Sequence, residues 1–326
     1  MDESVPTDVP ADAEQDGAPM LDDTVPSQSR EMLPVVGLGG SAGGIQALTA
    51  FFDAVPPDPG VAFVVILHLS PEHESTLAEL LQRHTAMPVL QVQGAMETRA
   101  NTVYVIPPGR ALRMLRGRLE LGDLRRSRSG RAAVDLFYRS LADTHGPHAV
   151  AVVLSGADSD GAVGLKRIKE RGGLTIAQDP DEAEHGGMPR AAIATGMVDW
   201  VLPAAEMPRR LLDYIALEDH LKLPPEQGAL PPAAAAGGNG ESDLREVLAF
   251  LRNRTGRDFS NYKRATILRR IARRMQVNGV THLNEYLGCL RTRPGEAGAL
   301  LQDLLISVTP LTCMRLAMRR RMVARL

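Results

Sequence analysis

The stretch Val35-Val36-Gly37-Leu38-Gly39-Gly40-Ser41-Ala42-Gly43-Gly44 passes from apolar residues into a turn of glycines with one serine at its centre. An apolar run that ends in such a turn and gives way to a helix-length segment, here residues 45–52, reads as a β-strand handing the chain to a helix start. The pattern recurs outward from this point. Apolar runs at 33–38, 62–67, 102–106, 149–154 and 174–177 alternate with segments at 75–83, 134–144 and 164–171 that have helical length and spacing. Continuous apolar strands suit a sheet buried on both faces, so the alternation predicts an α/β domain with a doubly wound, mostly parallel sheet. Helical periodicity returns at 244–254, 265–275, 282–291 and 296–306 with no strand pattern between, which predicts a small all-α domain after the first.

Composition divides the 326 residues further. Residues 1–32 are rich in Asp, Glu, Pro and Ser and read as a disordered acidic arm. Residues 223–242 combine Pro, Ala and Gly and read as a linker. The expected organisation is therefore arm 1–32, α/β domain 33–222, linker 223–242, helical domain 243–309 and a basic tail 310–326. A net charge of −2 conceals an asymmetry. Residues 1–243 hold 20 basic and 34 acidic side chains, a net of −14, whereas 244–326 hold 17 and 5, a net of +12, so the two parts are expected to meet different partners. Two cysteines, Cys289 and Cys313, make neither a disulfide framework nor a four-sulfur zinc site. No apolar run approaches the ~20 residues of a membrane span and no export signal is visible, so a cytoplasmic location is expected. An aromatic content of 4% counts against binding nucleobases by stacking.

In open α/β sheets ligands bind beyond the carboxyl ends of the strands. Ser41 follows the first apolar run within Gly39-x-Ser41-x-Gly43, the spacing of a nucleophile on a tight strand-to-helix turn. His68 follows the run 63–67, and Asp160 follows 150–154 through the loop Ser155-Gly156-Ala157-Asp158-Ser159. A serine hydroxyl is a poor nucleophile until an imidazole takes its proton, and a carboxylate fixes the imidazole and stabilises its cation. The expected roles are nucleophile for Ser41, base for His68 and orienting carboxylate for Asp160, with the Ala42 amide as first oxyanion donor. Asp158 is the alternative carboxylate. Seven other histidines compete with His68, namely His73, His84, His145, His148, His185, His220 and His282. The order Ser, His, Asp differs from that of α/β-hydrolases.

Dinucleotide binding is the rival reading of Gly37-x-Gly39 with Gly43-Gly44. Its spacing is off by one, and the strand after it ends in His68 with no acid before Glu72. No metal or cofactor is expected at this site.

Residues 34–215 resemble the catalytic domain of the bacterial chemotaxis methylesterase, the protein-glutamate methylesterase of receptor adaptation. The resemblance is carried by the 36–44 stretch, Leu67-His68-Leu69-Ser70-Pro71, Val103-Tyr104-Val105-Ile106-Pro107-Pro108-Gly109, Val134-Asp135-Leu136-Phe137 with Ser140-Leu141-Ala142, Leu154-Ser155-Gly156 through Asp160-Gly161, Gln178-Asp179-Pro180 and Met188-Pro189-Arg190-Ala191-Ala192. It implies a triad of Ser41, His68 and Asp160 that hydrolyses glutamyl methyl esters on receptors and releases methanol, with receptor glutamine deamidation as a side activity. One loop departs from the family: Ala157 stands where methionine is common and Asp158 where glycine is. The Ala157 amide can still serve as an oxyanion donor. The added Asp158 carboxylate is expected to raise the pKa of His68 or to weaken an anionic intermediate, which leaves a receptor-binding scaffold with an impaired esterase as the non-enzymatic alternative. No receiver domain precedes the resemblance, so receiver control in cis is not expected.

From Leu244 onward the chain resembles the helical N-terminal domain of the chemotaxis receptor methyltransferase, in residues 255–263, 266–275 and 304–309. Along one predicted helix Ile267, Leu268, Ile271 and Met275 share a face and Arg269, Arg270 and Arg273 the opposite one. The resemblance implies that these arginines meet the acidic methylation helices of chemoreceptors; nucleic acid is not an expected partner. The likeness stops after Thr309, and the expectation is a truncated or frame-shifted fusion lacking an S-adenosylmethionine site and methyltransferase activity.

Overall fold

A computed structural model describes residues 32–68, 76–123, 132–226, 239–259 and 262–306. Residues 1–31 of the acidic arm, most of the expected linker and the basic tail lie outside these residues, as do His73, Leu69-Ser70-Pro71, residues 260–261 and residues 307–309.

The principal sheet is built from β1 (Val35–Gly40), β2 (Ala62–Leu67), β3 (Val89–Gln91), β5 (Thr102–Val105), β8 (Ala149–Val153), β9 (Leu174–Gln178) and β10 (Trp200–Leu202). All its pairings are parallel, in the order β10-β9-β8-β1-β2-β5-β3. A small antiparallel sheet of β4 (Met96–Glu97), β6 (Arg110–Leu115) and β7 (Arg118–Asp123) stands beside it, which the sequence pattern did not indicate. The helices of this part are α1 (Gly44–Asp53), α2 (Leu77–Leu81), α3 (Ala133–His145), α4 (Ala162–Glu170) and α5 (Gly187–Ala194), which lie between strands, and α6 (Met207–Leu217), which follows the last strand. The segment expected as a helix at 75–83 forms only the five residues of α2.

The two-residue period of a strand sends alternate residues of β1 to opposite faces. Val36 and Leu38 enter a core with Leu48, Phe51 and Phe52 of α1 and Leu211 of α6. Val35 enters the other, with Val134, Phe137 and Tyr138 of α3. On that second face the residue at 39 is glycine for lack of space. A Cβ there would lie 2.3 Å from Val134 Cγ1 and 2.7 Å from the Tyr138 hydroxyl oxygen. The glycines thus let α3 sit directly on the strand, which accounts for the spacing that resembled a nucleotide loop. Gly39→Ala is expected to cost ~1–3 kcal/mol by overpacking, seen as a lower thermal midpoint.

The remaining helices are α7 (Asn239–Thr255), α8 (Arg264–Asn278), α9 (Leu283–Thr292) and α10 (Glu296–Ile306). Their shared core includes Leu244, Leu251, Ile267, Ile271, Met275, Tyr286, Leu300 and Leu304. The expected apolar face of α8 is therefore the core face. No helix among the described residues is long and apolar enough to cross a membrane.

The opposite face of α8 corrects an expectation. Arg273 is 4% exposed and donates to Asp303 Oδ2 at 2.7 Å, to the Gly173 carbonyl at 2.8 Å and to Asp199 Oδ2. Arg274 donates to Glu296 Oε1 at 2.9 Å and to Asp199 Oδ1 at 3.2 Å. Lys169 adds a third cation, 2.5 Å from Asp199 and 3.1 Å from Asp303. Arg270 donates to the Glu170 carbonyl at 2.8 Å. Arg273 is thus no receptor-facing group, and Arg270 is engaged at the same junction. Helical spacing separates the two faces of α8 without saying what covers the second. Only Arg269 of the three keeps its guanidinium on its own helix, donating to the Ala265 carbonyl at 3.2 Å, and it is half-buried. Gly173 precedes β9 and Asp199 precedes β10, so α8 docks at the amino edge of the parallel sheet.

Candidate active site

The carboxyl edge carries the reactive groups. β1, β2 and β8 are adjacent at the centre of the sheet, and Ser41, His68 and Asp160 each follow one of them. Topology therefore brings together three residues spread over 120 positions of sequence.

Ser41 sits in a braced turn. Its N–H donates to the Ser155 carbonyl at 2.9 Å, and its own carbonyl accepts from Gly44 N–H at 3.0 Å. Gly43 has φ 73°, and a Cβ there would meet Ser155 Oγ at 2.5 Å, so this position is glycine on two counts. The Ser155 hydroxyl donates to the Ala42 carbonyl at 2.8 Å and accepts the His185 N–H at 2.9 Å. Gln178 Oε1 accepts the Ser155 N–H at 2.8 Å. Ser155 and Gln178 thus tie the β8 and β9 loops to the serine turn. Neither role is legible in the sequence, because a buried side chain that braces a loop has no spacing signature. Among the described residues the N–H groups of Ala42 and Ala157 donate to no protein acceptor, and both residues are exposed.

His68 Nε2 lies 2.8 Å from Asp160 Oδ2. Asp160 is 7% exposed, and its carboxylate accepts three backbone N–H bonds, from Val134, Asp135 and Gly161, each at 2.9 Å. Val134 and Asp135 open α3, so the anion is also held by the positive end of that helix. These donors fix the carboxylate before any substrate arrives. Asp158 is close as well. Its Oδ1 accepts the Asp160 N–H at 3.0 Å, and its Oδ2 stands 3.4 Å from His68 Nδ1. The imidazole pKa is raised above its usual value, first by the Asp160 hydrogen bond, against burial, and then by the charges of Asp160 and Asp158. Of the other histidines, His145 and His148 are buried at the opposite edge of the sheet, and burial lowers His145 to about 4. His185, His220, His84 and His282 are absent from the cavity wall.

A cavity of about 740 Å³ opens at this edge, lined by Ser41, Ala42, Ile45, His68 and Glu184 among others. That volume fits a small-molecule or side-chain substrate. Glu184 was not anticipated as a wall residue; nothing in its spacing separates it from a solvated acid. No cluster of potential metal-ligating side chains occurs among the described residues.

A family profile described as CheB methylesterase matches residues 36–211, more than half of the chain. The chain belongs to this family. A second profile, the all-alpha domain of CheR methyltransferase, matches residues 242–305. The crystal structure of the Thermotoga maritima CheB methylesterase catalytic domain superposes with a TM-score of 0.52 at 27% identity, covering 56% of this chain and 98% of that one. The protein-glutamate methylesterase FrzG of Myxococcus xanthus is 34% identical over 56% of this chain and 55% of its own length. An uncharacterized 104.1 kDa protein of Rhodobacter capsulatus is 37% identical over 72% of this chain, which spans only 26% of that relative. The chain thus covers about half or less of several family relatives.

Proposed function

We propose that this chain is a serine esterase that hydrolyses glutamyl methyl esters on the cytoplasmic helices of chemoreceptors. The observation that carries the reading is the Asp160–His68 pair at 2.8 Å beside Ser41 on one cavity wall. Ser41 Oγ attacks the ester carbonyl as its proton passes to His68 Nδ1, the ring nitrogen that Asp160 leaves unoccupied. The oxyanion is met by the N–H groups of Ala42 and Ala157. Collapse breaks the bond to methoxide, which takes the proton from Nδ1 and departs as methanol. Water then attacks the acyl-enzyme by the same proton route, frees the glutamate carboxylate and restores Ser41. Several relatives are named protein-glutamate methylesterase/protein-glutamine glutaminase, which supports deamidation by the same site with ammonia as the leaving group. Arg269 remains the candidate of α8 for receptor contact, with no nucleic-acid partner.

The test is methanol release by the intact chain from a methyl-esterified receptor cytoplasmic fragment, with mapping of the adduct of a serine-reactive phosphonate. Release together with an adduct on Ser41 is expected. Neither release nor adduct would overturn the esterase and leave a receptor-binding scaffold.

A further inference from the structure

The esterase reading asks His68 Nδ1 to face Ser41, yet the group at that nitrogen is a carboxylate. Asp158 Oδ2 stands 3.4 Å from Nδ1 while Asp160 Oδ2 holds Nε2 at 2.8 Å. Among the described residues Ser41 Oγ makes no hydrogen bond. A neutral imidazole has one N–H and so satisfies one carboxylate; an imidazolium, with two N–H groups, satisfies both. The arrangement therefore selects the protonated ring, the form that cannot act as a base.

Asp158 is also built into its loop. Its Oδ1 accepts the N–H of Asp160, two residues on, which aims Oδ2 at the ring. Its side chain is 48% exposed, so it has solvent into which to turn. The His68 side chain is 23% exposed and is reached from the same cavity. The charged groups around the ring are Asp158 and Asp160 from the loop after β8, and Glu184 from the loop before α5, which shares the cavity wall. From α1 Ile45, Gln46 and Thr49 reach that wall, none of them charged. Glu72, His73 and Glu74 follow His68 in the chain and lie outside the described residues.

We propose that Asp158 is a positioning residue that latches the catalytic histidine away from Ser41, so that the resting ring bridges two carboxylates and becomes the serine's base only when Nδ1 gives up its proton and with it the Asp158 contact. The latch rests on the esterase reading. It makes the site slow at low pH and releases it as pH rises, since the deprotonated Nδ1 repels the carboxylate and accepts from Ser41 instead. The latch restrains the acylation step and contributes nothing to it once the ring is neutral.

The experiment has two independent readouts on the intact chain, compared with Asp158→Gly and Asp158→Asn. The asparagine keeps an oxygen for the Asp160 N–H and so guards against a collapsed loop. Nitrogen-15 resonances of the His68 ring report its titration with no substrate present. The pH dependence of phosphonate labelling at Ser41 reports the base in action. Both variants are expected to shift the ring titration and the acid limb of labelling to lower pH together, with faster labelling on that limb and an unchanged alkaline plateau. An unmoved titration would overturn the contact. A shifted titration with a fallen plateau would overturn the latch, because Asp158 would then assist the reaction. Absence of labelling at every pH in all three proteins would defeat the esterase reading, while the ring titration would still decide the contact.

Discussion

Ser41→Ala is expected to lower methanol release by about 10⁶-fold, Asp160→Asn by about 10⁴-fold, and the double variant no further than Ser41→Ala alone. The nucleophile and the carboxylate act through one proton path, so once Ser41 is gone Asp160 has no alkoxide to help generate. The loss at Asp160 is large because of what surrounds it. Three backbone N–H groups and the imidazole all donate to its two oxygens. An asparagine has only one acceptor oxygen and turns an NH₂ toward at least one of these donors. Either the helix start loses an acceptor, or the ring adopts the tautomer that points its N–H at Ser41. The first outcome also costs ~1–3 kcal/mol of stability, so thermal unfolding measured beside the rate separates a misaligned base from a loosened fold. Asp160→Asn at wild-type activity with Asp158→Asn inactive would transfer the orienting role to Asp158.

The central strands of this fold are legible in the sequence because they are buried on both faces and so carry uninterrupted apolar runs. β1, β2, β5, β8 and β9 all fall within two residues of the apolar runs that announce them. The hairpin β6 to β7 is not legible. Along Arg110–Leu115 exposed Arg110, Arg113 and Leu115 interrupt buried Ala111, Leu112 and Met114, a pattern with neither the period of a strand nor that of a helix. β10 has three residues and no room for a period. The site divides in the same way. Ser41 and His68 are readable because each directly follows a strand pattern, and Asp160 because it follows the run 150–154 through one short loop, whereas the amides that hold Asp160 are main-chain groups of Val134, Asp135 and Gly161, invisible in any side-chain pattern. The arginines of α8 show the limit most clearly. Helical spacing correctly sets Ile267, Leu268, Ile271 and Met275 on the core face. It is silent on the acids that bury the other face, because Asp199 lies 74 residues from Arg273 in the chain and Asp303 lies 30.

Those acids make Arg273→Ala the most disruptive single change expected outside the active site. Lys169, Arg273 and Arg274 meet Asp199, Asp303 and Glu296 in a cluster that balances three charges against three, with every side chain no more than 7% exposed. Burial alone would push the Asp199 carboxyl up, but Arg273, Lys169 and Arg274 hold it below the usual carboxylate range. Removing Arg273 leaves Asp199 and Asp303 short of a cation and the Gly173 carbonyl without two of its donors. Breaking a buried pair from one side costs ~3–5 kcal/mol, more than the pair's net worth, because the desolvated partner stays behind. For a structure of this size that is a fall in thermal midpoint on the order of 10 °C. The loss is expected in one calorimetric transition rather than two, because α8 belongs to the helical core on one side and to the α/β domain on the other. Removal of all residues beyond 222 differs in kind: it opens the Asp199 site to water, so Lys169 and Asp199 become a solvated pair rather than a desolvated imbalance. The depressed Asp199 pKa gives the sign of the pH effect. Its stabilisation is complete above the pKa of an unfolded aspartate, near 4, and is lost as pH falls from there toward the folded value. The wild-type chain should therefore lose midpoint faster than Arg273→Ala on acidification below pH 4, and the two curves should converge. Parallel curves would mean that Arg273 contributes packing through its stem and not charge, and two separate transitions would mean that the domains fold independently across this junction.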